Sequence, residues 1–243
     1  MGTVVSFDLR GAAPSRGALE RAVAWLHEVD ARFSPYRPGS EVSRLADGTL
    51  SDRDTHADVR AVLAMCEAVR IDSDGAFDAR RWSPDGRLDP SGLVKGWAVQ
   101  RAADELEAAG ARDFAIAAGG DIVARGEPEP GRAWRVGVRH PGVADRVAAV
   151  LAASDLAVAT SATYERGAHI RDPRSGAAPG GLQSVTVVGP SLTWADAYAT
   201  AAFVLGMDGL GWVADHDGYG ALAITADDRV VWTPVIDEVM RSR

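Results

Sequence analysis

Asp196 and Thr200 are the residues of this sequence whose types and spacing most clearly suggest chemistry. They lie four positions apart in the segment 195–200, whose composition is typical of a helix. Side chains at that spacing share one helical face, with Cβ atoms about 5–6 Å apart, so a carboxylate and a hydroxyl can converge on one ion. Mg²⁺ takes one or two protein oxygens and completes its shell with water and phosphate oxygens. The pair therefore predicts half of a hard-metal site.

A structural role for Asp196 is the alternative. Thr193 stands three residues before it, and Thr-x-x-acid fits a capping box, in which the acid only satisfies a helix N-terminus. The spacing alone leaves both explanations open.

Two glycine-containing segments could meet a phosphate. Residues 92–96 open a predicted helix, so backbone N–H groups, the positive helix end and Lys95 could all face an anion. Gly119 and Gly120 join two predicted strands, where they allow either close approach to a ligand or a plain turn. A solvated lysine is the alternative at Lys95.

A third segment brings a hydroxyl, an imidazole and a carboxylate together ahead of a turn. These are Thr160, His169 and Asp172. A lone histidine is more often a hydrogen-bonded structural residue than a catalyst. His169 is therefore a catalytic candidate only because Thr160 and Asp172 lie near it in the sequence.

Composition narrows the class of protein. The chain has 243 residues, 47% of them hydrophobic, and a formal net charge of −8 without a basic stripe, which argues against nucleic-acid binding. No apolar run approaches the ~20 residues that span a bilayer, and the first residues lack the pattern of a signal peptide, so we expect a cytoplasmic protein. Cys66 lies among valines at helical spacing and is expected to be buried.

Elements that could position these residues follow from hydrophobic periodicity. Helices are predicted near 15–33, 40–45, 54–71 and 91–109, and across Asp196 and Thr200. Strands are predicted at 3–9, 114–118, 122–124, 134–139, 147–152, 156–159, 184–188, 221–225 and 230–233. Strands bracket helices without regular alternation, which favours an α+β fold. We expect one domain over residues 1–243, with two intimately packed α+β subdomains as a variant.

The order of motifs resembles the ApbE family, the FAD:protein FMN transferases. The matching motifs include Met1-Gly2-Thr3, Phe33-Ser34-Pro35-Tyr36, Gly75-Ala76-Phe77-Asp78, Lys95-Gly96, Gly119-Gly120-Asp121, Ala159-Thr160-Ser161, the segment His169–Gly176, and Asp196-x-x-x-Thr200. The resemblance implies a T-fold-like α+β architecture, with mixed or antiparallel sheets flanked by helices. It also implies FAD as substrate, Mg²⁺ as the required ion, and transfer of FMN to a threonine hydroxyl of an acceptor protein that carries a flavinylation motif, with release of AMP.

The resemblance implies roles for individual residues. Asp196, Thr200 and the backbone carbonyl of Val94 would bind the metal. The flavin-nucleotide cleft would be lined by Met1, Tyr36, Asp78, Lys95, Gly119, Gly120, Asp121 and Thr160. His169 is the expected base for the acceptor hydroxyl, because a free imidazole titrates near neutral pH, and Asp172 is expected to orient it.

Two other functions fit the same residues. A Mg²⁺-dependent FAD pyrophosphatase would use water in place of threonine and release FMN and AMP. A non-catalytic FAD-binding or carrier protein would bind FAD without cleaving it.

Overall fold

The structure, a computed structural model, describes residues 2–11, 16–81, 87–143, 145–162 and 171–241. Nine strands lie in these ranges: β1 Val5–Arg10, β2 Asp113–Ala118, β3 Asp121–Arg125, β4 Trp134–Arg139, β5 Val147–Ala153, β6 Leu156–Ala162, β7 Leu182–Gly189, β8 Gly220–Thr225 and β9 Val230–Trp232. The helices there are α1 Arg16–Phe33, α2 Glu41–Ala46, α3 Ala57–Asp72, α4 Ser91–Ala108, α5 Leu192–Leu205, α6 Asp208–Ala214 and α7 Pro234–Arg241.

Seven of the strands form one sheet in the order β1-β2-β3-β6-β7-β8-β9, and every neighbouring pair is antiparallel. β4 and β5 form a separate antiparallel hairpin. Helices and antiparallel strands are thus segregated along the chain, which confirms the predicted α+β class.

Each face of the large sheet carries its own hydrophobic core, because successive side chains of a strand point to opposite faces. Ile116 and Val185 belong to the core on the face that the larger helices cover, together with residues such as Leu106 of α4 and Phe203 of α5. Leu222 on the other face packs in a smaller core whose other members include Trp134, Leu151 and Ile236. The hairpin and α7 therefore cover the second face.

Some element boundaries differ from those predicted. α3 begins at Ala57 rather than near Asp54, because His56 caps it by accepting a hydrogen bond from the Asp58 N–H, while Asp52–Asp54 form a 3-10 turn. β6 continues to Ala162 rather than ending at Ala159. The short helices α6 and α7 were not predicted at all.

Other sequence predictions hold. Ser40 caps α2 by accepting from the Ser43 N–H, and Gly110 follows α4 with a positive φ of 94°. Cys66 is buried, and that burial raises the pKa of its thiol to about 12, which removes it as a nucleophile near neutral pH. Within the described ranges, no helix is long and apolar enough to cross a membrane.

Candidate active site

The candidate site forms where α4 crosses α5. A Cβ atom at Gly96 would lie 2.3 Å from the Leu192 carbonyl oxygen and 2.7 Å from the Asp196 Cβ, so only glycine allows this approach. The Gly96 N–H donates to Asp196 Oδ2 at 2.8 Å. Farther along α4, the Gln100 side chain accepts from the Leu192 N–H at 2.9 Å, at the first residue of α5. The two helices are therefore held in a fixed register.

This crossing brings Lys95 between two carboxylates. Lys95 Nζ lies 2.7 Å from Asp121 Oδ2 and 3.7 Å from Asp196 Oδ1. Asp121 is completely buried, and Asp196 is 4% exposed. Burial of this kind is tolerated only when the charges are paired, so the lysine offsets much of the cost of enclosing both acids.

Asp121 is held from two sides. Its Oδ1 accepts from the Thr160 N–H at 3.2 Å, in addition to the Lys95 ion pair at Oδ2. Burial raises the pKa of Asp121, against the opposing effects of Lys95 and the Thr160 N–H. The residue is thus a fixed internal anchor for Lys95.

Thr200 stands one helical turn beyond Asp196, and both side chains are buried. Thr200 Oγ1 lies 3.3 Å from Ser161 Oγ of β6. A Cβ atom at Gly92 would lie 3.5 Å from Thr200 Oγ1 and 3.0 Å from the Phe77 ring. The Thr200 hydroxyl therefore faces the first turn of α4 at Gly92, and the Asp196 carboxylate faces the following turn at Gly96.

The capping-box explanation of Asp196 is wrong. Ser191, not Thr193, is the N-cap of α5, and Thr193 lies inside the helix. Asp196 Oδ2 instead accepts from Gly96, a residue of another helix.

The donor chemistry fits Mg²⁺. Asp196 and Thr200 supply a carboxylate and a hydroxyl oxygen, and hard cations prefer oxygen. Among the described residues, no group of three or more His, Cys, Asp or Glu side chains could hold a metal. A sparse protein shell of this kind suits an ion that keeps water and phosphate ligands. Val94 lies in the first turn of α4 with a buried side chain, and its carbonyl remains a predicted ligand.

The turn between β2 and β3 explains why Gly119 and Gly120 are glycines. They form a two-residue turn between Ala118 and Asp121, and both have positive φ, 56° and 93°. Such a turn requires left-handed conformations at both central residues, which glycine adopts at low cost. The turn places Asp121 at the start of β3, and direct contact of either glycine with a ligand stays a prediction.

The loop around Asp172 lies beside this region. Arg174 donates to Asp172 through Nε and a terminal nitrogen at 2.9 and 3.0 Å, and the guanidinium holds the pKa of that carboxyl below its usual range. The Arg174 side chain comes within 3.5 Å of a Cβ position at Gly75, in the loop that leads to Phe77. Asp172 thus organises its own loop, and its predicted role toward His169 remains a prediction.

The side chains of the other predicted residues are exposed or have partners outside the cluster. Tyr36 is 83% exposed, and Asp78 is partly buried and accepts from the Arg80 N–H. Thr160 Oγ1 pairs with Thr186 Oγ1 at 2.9 Å. Met1 and His169 lie outside the described residues.

Sequence reasoning missed two contributors. Ser161 touches Thr200, and Phe77 packs against Gly92. Ser161 could have been found by alternation, since it neighbours Thr160 in β6 and must point to the opposite face.

Comparison with known proteins identifies the family. The model of the ApbE family matches residues 1–81 and 80–223. The FAD:protein FMN transferase of Haemophilus influenzae is 26% identical, over 89% of this chain and 80% of that protein, and that of Vibrio cholerae is 27% identical, over 84% and 78%. The solved flavin transferase ApbE from Vibrio cholerae has the same fold, with a TM-score of 0.84, 23% identity, and coverage of 98% of this chain and 96% of that chain. The ApbE protein from Thermotoga maritima gives a TM-score of 0.83 at 20% identity, over 99% of this chain and 100% of that chain. The chain belongs to the ApbE family.

Proposed function

We propose that this chain transfers FMN from FAD to a threonine hydroxyl of an acceptor protein in a Mg²⁺-dependent reaction that releases AMP. Flavin transfer is the activity named for the relatives that align over most of the chain, and the chain is accordingly a flavin transferase. The observation that carries the finer proposal is the buried Lys95–Asp121–Asp196 cluster with Thr200 beside it.

The reaction forms one bond and breaks one. The threonine oxygen bonds to the FMN phosphorus, the bond from that phosphorus to the bridging oxygen breaks, and AMP leaves with that oxygen. The hydroxyl proton goes to a base, for which His169 remains the candidate. Mg²⁺, when bound, neutralises charge on the pyrophosphate as that bond breaks.

Some residues of the site would bind the ion directly, and others hold those ligands in place. Asp196 and Thr200 would hold the ion through their side-chain oxygens, with the Val94 carbonyl as a further ligand. The Gly96 N–H fixes one oxygen of Asp196, and the Lys95 ammonium lies near the other. Asp121 fixes Lys95 in turn. Such support limits the motion of a ligand, and its loss weakens metal sites.

The first turn of α4 adds a second favourable feature for a diphosphate. The Gly92 side of this turn faces Thr200, so the N-terminal end of the helix lies beside the proposed ion site. The partial positive charge at a helix N-terminus favours anions. This supports a pose in which the pyrophosphate lies beside the N-terminal end of α4.

The test is incubation with FAD, Mg²⁺ and a candidate acceptor that carries the pattern D-(G/A)-x-(S/T)-x-x-T. We expect the acceptor to gain one FMN and AMP release to accelerate, because a hydroxyl held in line with phosphorus has a high effective concentration. The matched control is the same acceptor with its last threonine replaced by valine. Rapid AMP release without an acceptor would indicate a pyrophosphatase instead, and FAD binding without cleavage would indicate a carrier.

A further inference from the structure

Ser161 is a buried residue next to the proposed ion site, and the reaction described above gives it no role. It lies in β6 two residues after Ala159 and four after Ala157, whose side chains belong to the larger core. Thr160 points to the other face of the sheet, where it pairs with Thr186. The alternation of side chains along a strand therefore directs the Ser161 hydroxyl to the face that α5 covers.

The Ser161 hydroxyl meets Thr200 of α5 in the interior. Ser161 Oγ lies 3.3 Å from Thr200 Oγ1, and the two residues are 7% and 4% exposed. Either hydroxyl could donate in this pair. The side chain of a predicted metal ligand is thus tied to a strand rather than to its own helix.

A threonine inside a helix has a competing partner for its hydroxyl. Its side chain can rotate so that Oγ1 bonds to the backbone carbonyl three or four residues earlier in the same helix. For Thr200 those carbonyls belong to Ala197 and Asp196. Ser161 favours the alternative orientation, in which Thr200 Oγ1 lies beside β6.

The direction of this hydrogen bond follows from the chemistry of the proposed ion site. A hydroxyl binds a cation through an oxygen lone pair, so its hydrogen must point elsewhere, and a second donor aimed at the same oxygen would compete with the ion. The Thr200 O–H becomes a stronger donor beside a bound cation, which favours a separation shorter than 3.3 Å. Ser161 Oγ can accept this hydrogen.

We propose that Ser161 is a positioning residue for Mg²⁺ binding: its Oγ accepts the Thr200 hydrogen and so presents the Thr200 lone pairs to the ion. This inference rests on the proposed function, which requires the ion at Asp196 and Thr200. Ser161 is not itself a ligand. Its removal should nevertheless weaken ion binding, because partners that orient a ligand contribute to metal affinity.

Mg²⁺ binding is measured without an acceptor, so that it does not depend on transfer. Mg²⁺ is added to the protein in saturating FAD, and the readout is the rise in melting temperature with Mg²⁺ concentration. We expect Ser161→Ala to need at least about tenfold more Mg²⁺ for half of this rise. Ser161→Thr keeps a hydroxyl at this position and should restore most of the affinity.

Ser184→Ala is the matched control. Ser184 of β7 is 1% exposed, and its Oγ has no hydrogen-bond partner among the described residues. It precedes Val185 of the larger core, so it points to the opposite face of the sheet from Ser161. Loss of this hydroxyl should leave the Mg²⁺ requirement at the wild-type value. An equal loss of affinity in Ser184→Ala would reduce the effect to the deletion of any buried serine hydroxyl and overturn the proposal.

A double-mutant cycle tests whether Ser161 acts through Thr200. Thr200→Val removes the hydroxyl that Ser161 is proposed to orient, so Ser161→Ala should have no further effect on Mg²⁺ binding in that background. A further loss of similar size there would make Ser161 an independent ligand and overturn the positioning role. If Thr200→Val weakened binding and Ser161→Ala alone did not, the ion site would stand and the role of Ser161 would be rejected.

A second measurement separates this inference from the proposed function. With FAD and a threonine acceptor, Ser161→Ala should lose transfer at low Mg²⁺ and recover it at high Mg²⁺, because the ligands themselves remain. The expected Mg²⁺ binding in every variant, without transfer to the acceptor, would reject the transferase and leave Ser161 as a positioning residue. Absence of any Mg²⁺ response in the wild type would reject the ion site and the role of Ser161 with it.

Discussion

At the scale of single residues, the metal hypothesis depends most on Asp196. Asp196→Asn keeps an oxygen that can accept from the Gly96 N–H but removes the charge. We expect Mg²⁺-dependent AMP release to fall at least about 100-fold, because a lost ionic ligand costs several kcal/mol of transition-state stabilisation. The melting temperature should change little.

The control for this substitution is Asp52→Asn, in the exposed 3-10 turn. It should leave both activity and stability at the wild-type values. Near-normal turnover in Asp196→Asn would remove this residue from the list of essential ligands.

Lys95 allows a second test at this scale. Lys95→Met leaves Asp121 completely buried without its ion-pair partner, which should cost about 3 kcal/mol of unfolding free energy. Lys95→Met/Asp121→Asn should recover part of that loss, since Asp121 is then neutral while Asp196 stays buried without the Lys95 charge. Urea unfolding of the four proteins of this cycle measures the coupling. Additive losses would mean that the two residues do not support each other.

At the scale of elements, the crossing of α4 and α5 depends on Gly96. Gly96→Ala should destabilise the fold by about 1–3 kcal/mol, because the new Cβ overlaps the Leu192 carbonyl and the helices must move apart. Turnover should fall as well, since the distance from Lys95 to Asp196 changes. Unfolding free energy and AMP release are measured on the same preparation.

Gly211→Ala is the matched control. It lies in α6, and a Cβ there meets nothing within 4 Å. Alanine should stabilise this helix by about 0.5–1 kcal/mol. If Gly96→Ala behaved in the same way, close helix contact would not be the reason for the glycine.

The loop that contains Asp172 gives a pH-dependent prediction. Arg174 lowers the pKa of Asp172, so this carboxylate stabilises the folded state above its unfolded pKa of about 3.9, and the contribution is lost as pH falls through the folded pKa. The difference in unfolding free energy between the wild type and Asp172→Asn should therefore be largest near pH 7 and shrink toward pH 2. A difference that stayed constant over this range would contradict the ion pair with Arg174.

Periodicity predicted most elements because each has a clear hydrophobic pattern, as in β4, whose predicted and observed bounds agree. It failed at α6, where Gly209 and Gly211 weaken the helical signal, although Ala202 packs so closely that glycine is needed at 209. The Asp196–Thr200 pair could be predicted because its spacing is local. The Lys95–Asp121 pair could not, since 25 residues and the order of strands separate the two and only tertiary packing brings them together.

At the scale of the whole molecule, the site and the smaller core lie on opposite faces of one sheet. Ligand binding at the site should therefore add to stability independently of the other core. FAD with Mg²⁺ should stabilise the folded chain by about 2.7 kcal/mol at a hundredfold excess over Kd, because only the folded state binds. Differential scanning calorimetry of the protein with and without ligand measures this gain in unfolding free energy.

Ile236→Ala tests the independence of the two faces. Ile236 is completely buried in the smaller core, so its truncation should lower the unfolding free energy by about 2–5 kcal/mol. The increment from FAD and Mg²⁺ should nevertheless equal that of the wild type, because Ile236 packs under the hairpin and not beside Asp196. Asp196→Asn provides the opposite case. Its unfolding free energy without ligand should equal that of the wild type, and the gain from FAD and Mg²⁺ should be smaller. A reduced increment in Ile236→Ala would instead show that the sheet couples the packing of the hairpin to the shape of the site.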